Sequence, residues 1–221
     1  MRWVVLSLPF AVAALLAACP DPTSSPDAGA AGDAGPAAVE LGAVSTKNDL
    51  QWRRARAFEQ GLGTALLVDD RELCQELGRF SCVDTVHLVA LGGNDPFGQG
   101  LHEPVRAPTA TTPVAVERLV LSACRAAVDA DAGRSVPLVF LDLDLSEAAA
   151  ALDLADEGQR LAVEDTVTSL YRRLHARDPL ETERAELRKL TVDDAGAAVR
   201  PRDFALLSCF AIASTTESVF F

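Results

Sequence analysis

Apolar positions in the second half of the chain recur with the period of a helix. Val116, Val120, Ala123, Cys124 and Ala127 fall at i, i+4, i+7, i+8 and i+11, which sets them on one face. Thr112 and Pro113 precede that stripe. Threonine suits an N-cap, and proline suits the first helical position, where no N–H is needed. The helix ends near Asp131, before Gly133. Val163, Val167, Leu170, Tyr171 and Leu174 repeat the spacing and predict a helix over residues 155–176, stopped by Pro179. Asp178, Pro179 and Glu181 then read as cap, first position and capping-box acid of another helix, with Leu187 and Leu190 on its core side. The stretch DFALLSCFAIASTTESVFF has Asp203 placed to cap it and is apolar nearly all round, the pattern of a buried helix.

The pattern is weaker before residue 112. Residues 49–60 carry a partial apolar face of Leu50, Trp52, Ala57 and Phe58, and residues 64–68 form a short apolar run. Asp69 and Asp70 are placed to cap a helix over residues 71–79, in which Leu73 and Leu77 sit four apart. Residues 85–91 read as β-like or as a short buried segment. Residues 92–111 are punctuated by Gly and Pro and predict a long loop. VPLVFLDLDL, residues 136–145, alternates only in its second half and suits a strand that has no clear partner. The expected fold is mainly α: a single helical domain with one long Gly/Pro-rich loop and at most one or two short strands.

The N-terminal pattern is of another kind. Arg2 supplies a positive start, Trp3 opens an apolar stretch that runs to Leu16, and Ala17 and Ala18 lead to Cys19. The run falls short of the roughly 20 apolar residues a spanning helix needs. Leu16-Ala17-Ala18-Cys19 resembles the bacterial lipobox. That resemblance implies a signal peptide over residues 1–18, with Cys19 as the lipidated first residue of the mature chain. Residues 19–44 consist mainly of Pro, Asp, Ser, Gly and Ala, cannot bury enough surface to offset chain entropy, and read as a flexible tether. The globular domain is then residues 45–221. The expected location is the bacterial cell envelope, membrane-anchored and facing the periplasm or cell exterior.

Composition narrows the partners. The chain has 20 Lys and Arg against 32 Asp and Glu, a formal charge of −12, and loss of Arg2 makes it one unit more acidic. An acidic surface argues against nucleic acid and against docking on anionic lipid through the domain itself. Of 5 cysteines, Cys74, Cys82, Cys124 and Cys209 remain once Cys19 is lipidated. An even number in an exported chain suggests two disulfides. Three pairings are possible. A short local loop favours Cys74–Cys82, and shared burial favours Cys124–Cys209, whose long loop would contribute about 4 kcal/mol. The spacings match no zinc, haem or redox motif.

The most site-like stretch is GGNDPFGQG, residues 92–100. Its glycines would let a ligand approach, and Asn94 and Asp95 could bind it, with His87 and His102 flanking the loop. No G-K-[ST] follows, and no tight His spacing supports a metal. His175 lies on an exposed-looking helix end. Asp142, Asp144, Ser146 and Asp153 approach calcium-loop spacing, but Glu147 stands where a glycine is required. There is no G-x-S-x-G elbow, so no catalytic residue, metal site or cofactor is assigned.

LYRRLHARDPLETERAELRKL, residues 170–190, resembles a helical hairpin of large planctomycete-type exported proteins associated with cytochrome-c-like domains. Leu170, Tyr171, Leu174, Arg177, Pro179 and Glu183 carry the L-Y-x-x-L-x-x-R-x-P-x-x-x-E pattern. The resemblance implies an architecture and a compartment, and the haem signature is absent. The function expected is a non-catalytic, lipid-anchored interaction or structural module contacting another envelope protein. The alternative is a ligand-binding protein or enzyme using residues 92–103 with His87 or His102.

Overall fold

The computed structural model describes residues 52–69 and 73–220, which belong to a compact unit spanning Thr46–Phe221. The leader, Cys19, the tether and Asp70 lie outside the described residues. Helices α1 (Ala55–Leu66), α2 (Thr112–Ala132), α3 (Glu157–His175), α4 (Glu181–Arg188), α5 (Pro201–Ala213) and α6 (Thr216–Val219) make the fold mainly α. Between α1 and α2 lie a two-stranded antiparallel hairpin, β1 (Gln75–Glu76) and β2 (Phe80–Ser81), and one π-helical turn, Cys82–Val86. No helix among the described residues is long and apolar enough to cross a membrane.

Helix α2 packs on α5 and α1, and α3 packs on α5, α1, α4 and α6. The expected stripe of α2 is buried, joined by Ala115, Leu119 and Val128. Helix α5 contributes Phe204, Ala205, Cys209, Ile212 and Ala213 to the same core. Cys124 and Cys209 are bridged across this seam, their Cα atoms 5.8 Å apart. Cys74 and Cys82 form the second bridge, with Cα atoms 5.5 Å apart.

Several local expectations give way. Residues 73–81 are a hairpin where a helix over 71–79 was expected. Leu77 and Gly78 take φ of 54° and 69°, which turns the chain back, and Arg79 N–H donates to Glu76 C=O at 3.2 Å. Thr112 is the first residue of α2 and not its cap. Its hydroxyl donates to Ala90 C=O at 2.6 Å, tying the helix start to the segment before the long loop. Helix α4 begins at Glu181, so the capping moves two residues on: Glu183 accepts from Leu180 N–H at 2.6 Å, while Asp178 pairs with Arg172. In α5, Pro201 occupies the first turn and Asp203 lies inside the helix. Leu207, on its outer side, is exposed, so burial is one-sided there.

Residues 136–145 form no strand. Their backbone is satisfied by side chains instead. The buried Asp131 carboxylate accepts N–H bonds from Leu138, Val139 and Phe140 at 3.1, 2.8 and 3.1 Å, and is paired with Arg134. From α3, Arg173 donates to Leu138 C=O at 2.7 Å, Ser169 to Val139 C=O at 2.9 Å and Thr166 to Leu141 C=O at 3.1 Å. With donors and acceptors met this way, an apolar run needs no partner strand to be buried. Burial alone would raise the Asp131 pKa, but the three N–H groups and Arg134 outweigh it and hold it below the ordinary value of 3.8.

The Cys124–Cys209 bridge closes a separation of 85 residues, worth about 4 kcal/mol in the chain-entropy account. Cys124→Ser and Cys209→Ser should each lower Tm by roughly 10 °C, and the double variant should be no worse than either alone. Differential scanning calorimetry decides this, and additive losses would contradict it.

Candidate functional site

The long loop starts at a close approach. Gly92 has φ 85°, and a Cβ there would meet the Trp52 ring at 2.9 Å, so only glycine fits. Asp95 then organises the turn. Its carboxylate accepts Gly98 N–H at 2.7 Å, and its carbonyl accepts Gln99 and Leu101 N–H at 3.2 and 3.0 Å. The turn thus uses Asp95 internally and holds Phe97 out at 99% exposure. Asn94 and His102 are exposed, while His87 turns toward the hairpin. Four clefts among the described residues are lined by other side chains and not by His87, Asn94, Asp95 or His102. Within the loop, Asp95 is engaged by its own turn, whereas His87 faces Glu76 of the hairpin.

The hairpin gathers a different set. Hydrogen bonds from Cys82 N–H to Cys74 C=O at 3.2 Å and from His87 N–H to Cys82 C=O at 2.7 Å set Cys74, Cys82 and His87 in order. The Ser81 hydroxyl accepts Asp84 N–H at 3.0 Å and fixes the start of the π-helical turn. His87 Nε2 lies 3.5 Å from Glu76 Oε1. Its Nε2 is buried and makes no hydrogen bond. Arg118 of α2 holds Glu76 through both oxygens, at 3.3 and 3.2 Å. Glu76, Cys82 and His87 form the one group of three donor residues among the described residues whose ligand atoms lie within 4.8 Å of one another. Two of the three Asp residues of the calcium-like stretch are used locally: Asp144 accepts Ser146 N–H and Asp153 accepts Ala155 N–H. Glu76 and Arg118 escaped the sequence analysis, which spread residues 71–79 along a helix. The eight-residue Cys spacing with Leu77-Gly78 at its centre was the available signal.

A third cluster joins α3, α4 and α6. Arg177 donates to both Glu183 oxygens at 2.8 and 2.7 Å and to both Glu217 oxygens at 2.9 and 2.7 Å. Its guanidinium lies 4.9 Å from the centroid of the Tyr171 ring. Tyr171 is buried, as is its neighbour Leu170, and Glu183 also caps α4. Of the L-Y-x-x-L-x-x-R-x-P-x-x-x-E pattern, Tyr171, Arg177 and Glu183 thus meet in one structural clamp. His175 is half-buried, against the expected exposed position, with its ring 5.4 Å from Tyr171. Burial lowers its pKa, only partly countered by Glu217.

The Arg177 hydrogen bonds, against the cost of burial, draw the Glu183 pKa down to about 2 from 4.5. A depressed carboxylate stabilises the fold fully above about pH 4.5 and loses that contribution as pH falls toward 2. Glu183→Gln should cost roughly 1–2 kcal/mol at neutral pH, allowing for partial exposure. The deficit should shrink between pH 4.5 and 2 in urea titrations, and one that is independent of pH would contradict this.

Compared with known proteins, the chain matches no family model, and no significant match was found among curated proteins or solved structures.

Proposed function

We infer that the protein is a lipid-anchored cell-envelope module that acts through contact with another envelope protein, without catalysis. The observation that carries this reading is Phe97. It is 99% exposed on a turn that Asp95 holds in shape, so its display is built into the loop. Leu77, at the hairpin tip, is 87% exposed and adopts a left-handed backbone that costs a leucine roughly 1–2 kcal/mol. Scattered apolar residues are ordinary on a surface. A fully exposed aromatic on a hydrogen-bonded turn, and a leucine in a strained one, are features that packing within the domain does not account for. Two disulfides agree with an oxidising compartment, and a Cys19 lipid with a flexible tether would let the domain reach a partner near the membrane.

The test has an anchor arm and a contact arm. Cys19→Ala should abolish fatty-acid labelling and release the protein from membranes. In intact envelopes, crosslinking followed by mass spectrometry should find a discrete partner. Phe97→Ala should weaken that association by about 30-fold, the effect of losing a 2 kcal/mol aromatic anchor. Unchanged labelling of Cys19→Ala overturns the anchor, and an unchanged partner yield with Phe97→Ala overturns the contact surface.

A further inference from the structure

We propose that the hairpin is a redox-gated site for a divalent, zinc-like cation, closed while Cys74–Cys82 is oxidised and opened by its reduction. In the oxidised state, the sulfur of Cys82 is committed to the bridge. Next to it stand His87 and Glu76, with the three ligand atoms within 4.8 Å of one another. The His87 Nε2 to Glu76 Oε1 distance is 3.5 Å, beyond a good hydrogen bond. It suits two ligands of one ion: zinc–nitrogen and zinc–oxygen bonds of about 2.0–2.1 Å at a tetrahedral angle set N and O about 3.4 Å apart. His87 Nε2 is also buried without a hydrogen bond, so the site leaves a nitrogen unsatisfied.

The chemistry balances with an external dithiol as reductant. The dithiol gives two electrons and two protons, becomes a disulfide, and leaves Cys74 and Cys82 as thiols. The cation then binds His87 Nε2, one Glu76 oxygen and the Cys82 sulfur, which releases its proton to solvent. Cys74, freed beside Cys82, or water completes four-coordination. Thiolate with imidazole favours zinc over calcium or magnesium. Glu76 keeps one oxygen for Arg118, which orients the carboxylate as outer partners of metal sites do. Cys82 is as buried as Cys124 and Cys209, and Cys74 is 7% exposed, so the dithiol reaches the hairpin bridge from its Cys74 side as the short hairpin opens locally.

Cobalt(II) provides the probe, since a thiolate ligand gives a charge-transfer band and a tetrahedral site gives strong visible bands. The full mature chain is titrated with Co²⁺ oxidised, and again after dithiol treatment and removal of the reductant under argon. Thiol mapping shows which bridge opened. Cys74→Ser frees Cys82 without any reductant, and circular dichroism reports its folding. The expected result is no cobalt spectrum for the oxidised protein, and a one-to-one thiolate spectrum for the reduced protein or folded Cys74→Ser, reversed by zinc. His87→Ala and Glu76→Gln should each weaken binding at least about tenfold, since even outer-shell losses cost that much. A free Cys82 thiol with no cobalt band overturns the proposal, as does a band whose affinity is the same in His87→Ala.

Discussion

A single buried carboxylate, Asp131, sets the geometry on which the centre of this domain depends. It sits at the end of α2 and accepts three consecutive backbone N–H groups from residues 138–140. A bare charge there would be very costly, so those donors and Arg134 are a requirement for its burial. In return, the carboxylate lets Val139 and Phe140 reach the core without a sheet. Thr166, Ser169 and Arg173 of α3 complete the arrangement from the other side by donating to carbonyls of the same segment. The register of α2 against α3 is thus transmitted through an irregular strip of backbone.

The other cross-links act on this frame. The Cys124–Cys209 bridge joins α2 to α5 covalently, and the Arg177 clamp joins α3 to α4 and α6 by charge-assisted hydrogen bonds. The hairpin is fastened by its own disulfide and, through Glu76 and Arg118, to α2. The two features with chemical potential, the exposed Phe97 turn and the His87–Glu76 pair, are therefore carried by constrained backbone. A constrained display lowers the entropy cost of a contact, which is why a small loop can serve as a recognition element.

Helices α2 and α3 were legible because their apolar residues repeat at 3.6-residue spacing over about three turns, and the disulfide pairing followed from burial and proximity. What failed did so where two local signals competed. Leu73 and Leu77 have helical spacing, yet the left-handed backbone at Leu77 and Gly78 breaks a helix there and turns the chain back. The Cys74–Cys82 bridge, with its Cα atoms 5.5 Å apart, closes the hairpin that results. Residues 136–145 look like a strand because their apolar content signals burial, but the satisfaction of their backbone by Asp131 and α3 is long-range and invisible to periodicity. The caps of α4 and α5 moved because extended backbone at Leu180 and Arg200 sets each helix start, whatever side chain lies nearby. Of the site, the flanking histidines were visible. The hairpin partners of His87 depend on the fold.

Amide hydrogen exchange tests the role of Asp131 most directly. In the wild-type protein the amides of Leu138, Val139 and Phe140 should be protected to a degree comparable with the α2 core, although they belong to no helix or strand. In Asp131→Ala those three should exchange more than about tenfold faster, each having lost a bond to a charged acceptor. The α2 amides around Ala123 and Cys124 should retain protection, which separates local release from unfolding. Fast exchange at residues 138–140 in the wild type, or unchanged protection in Asp131→Ala, would contradict the account.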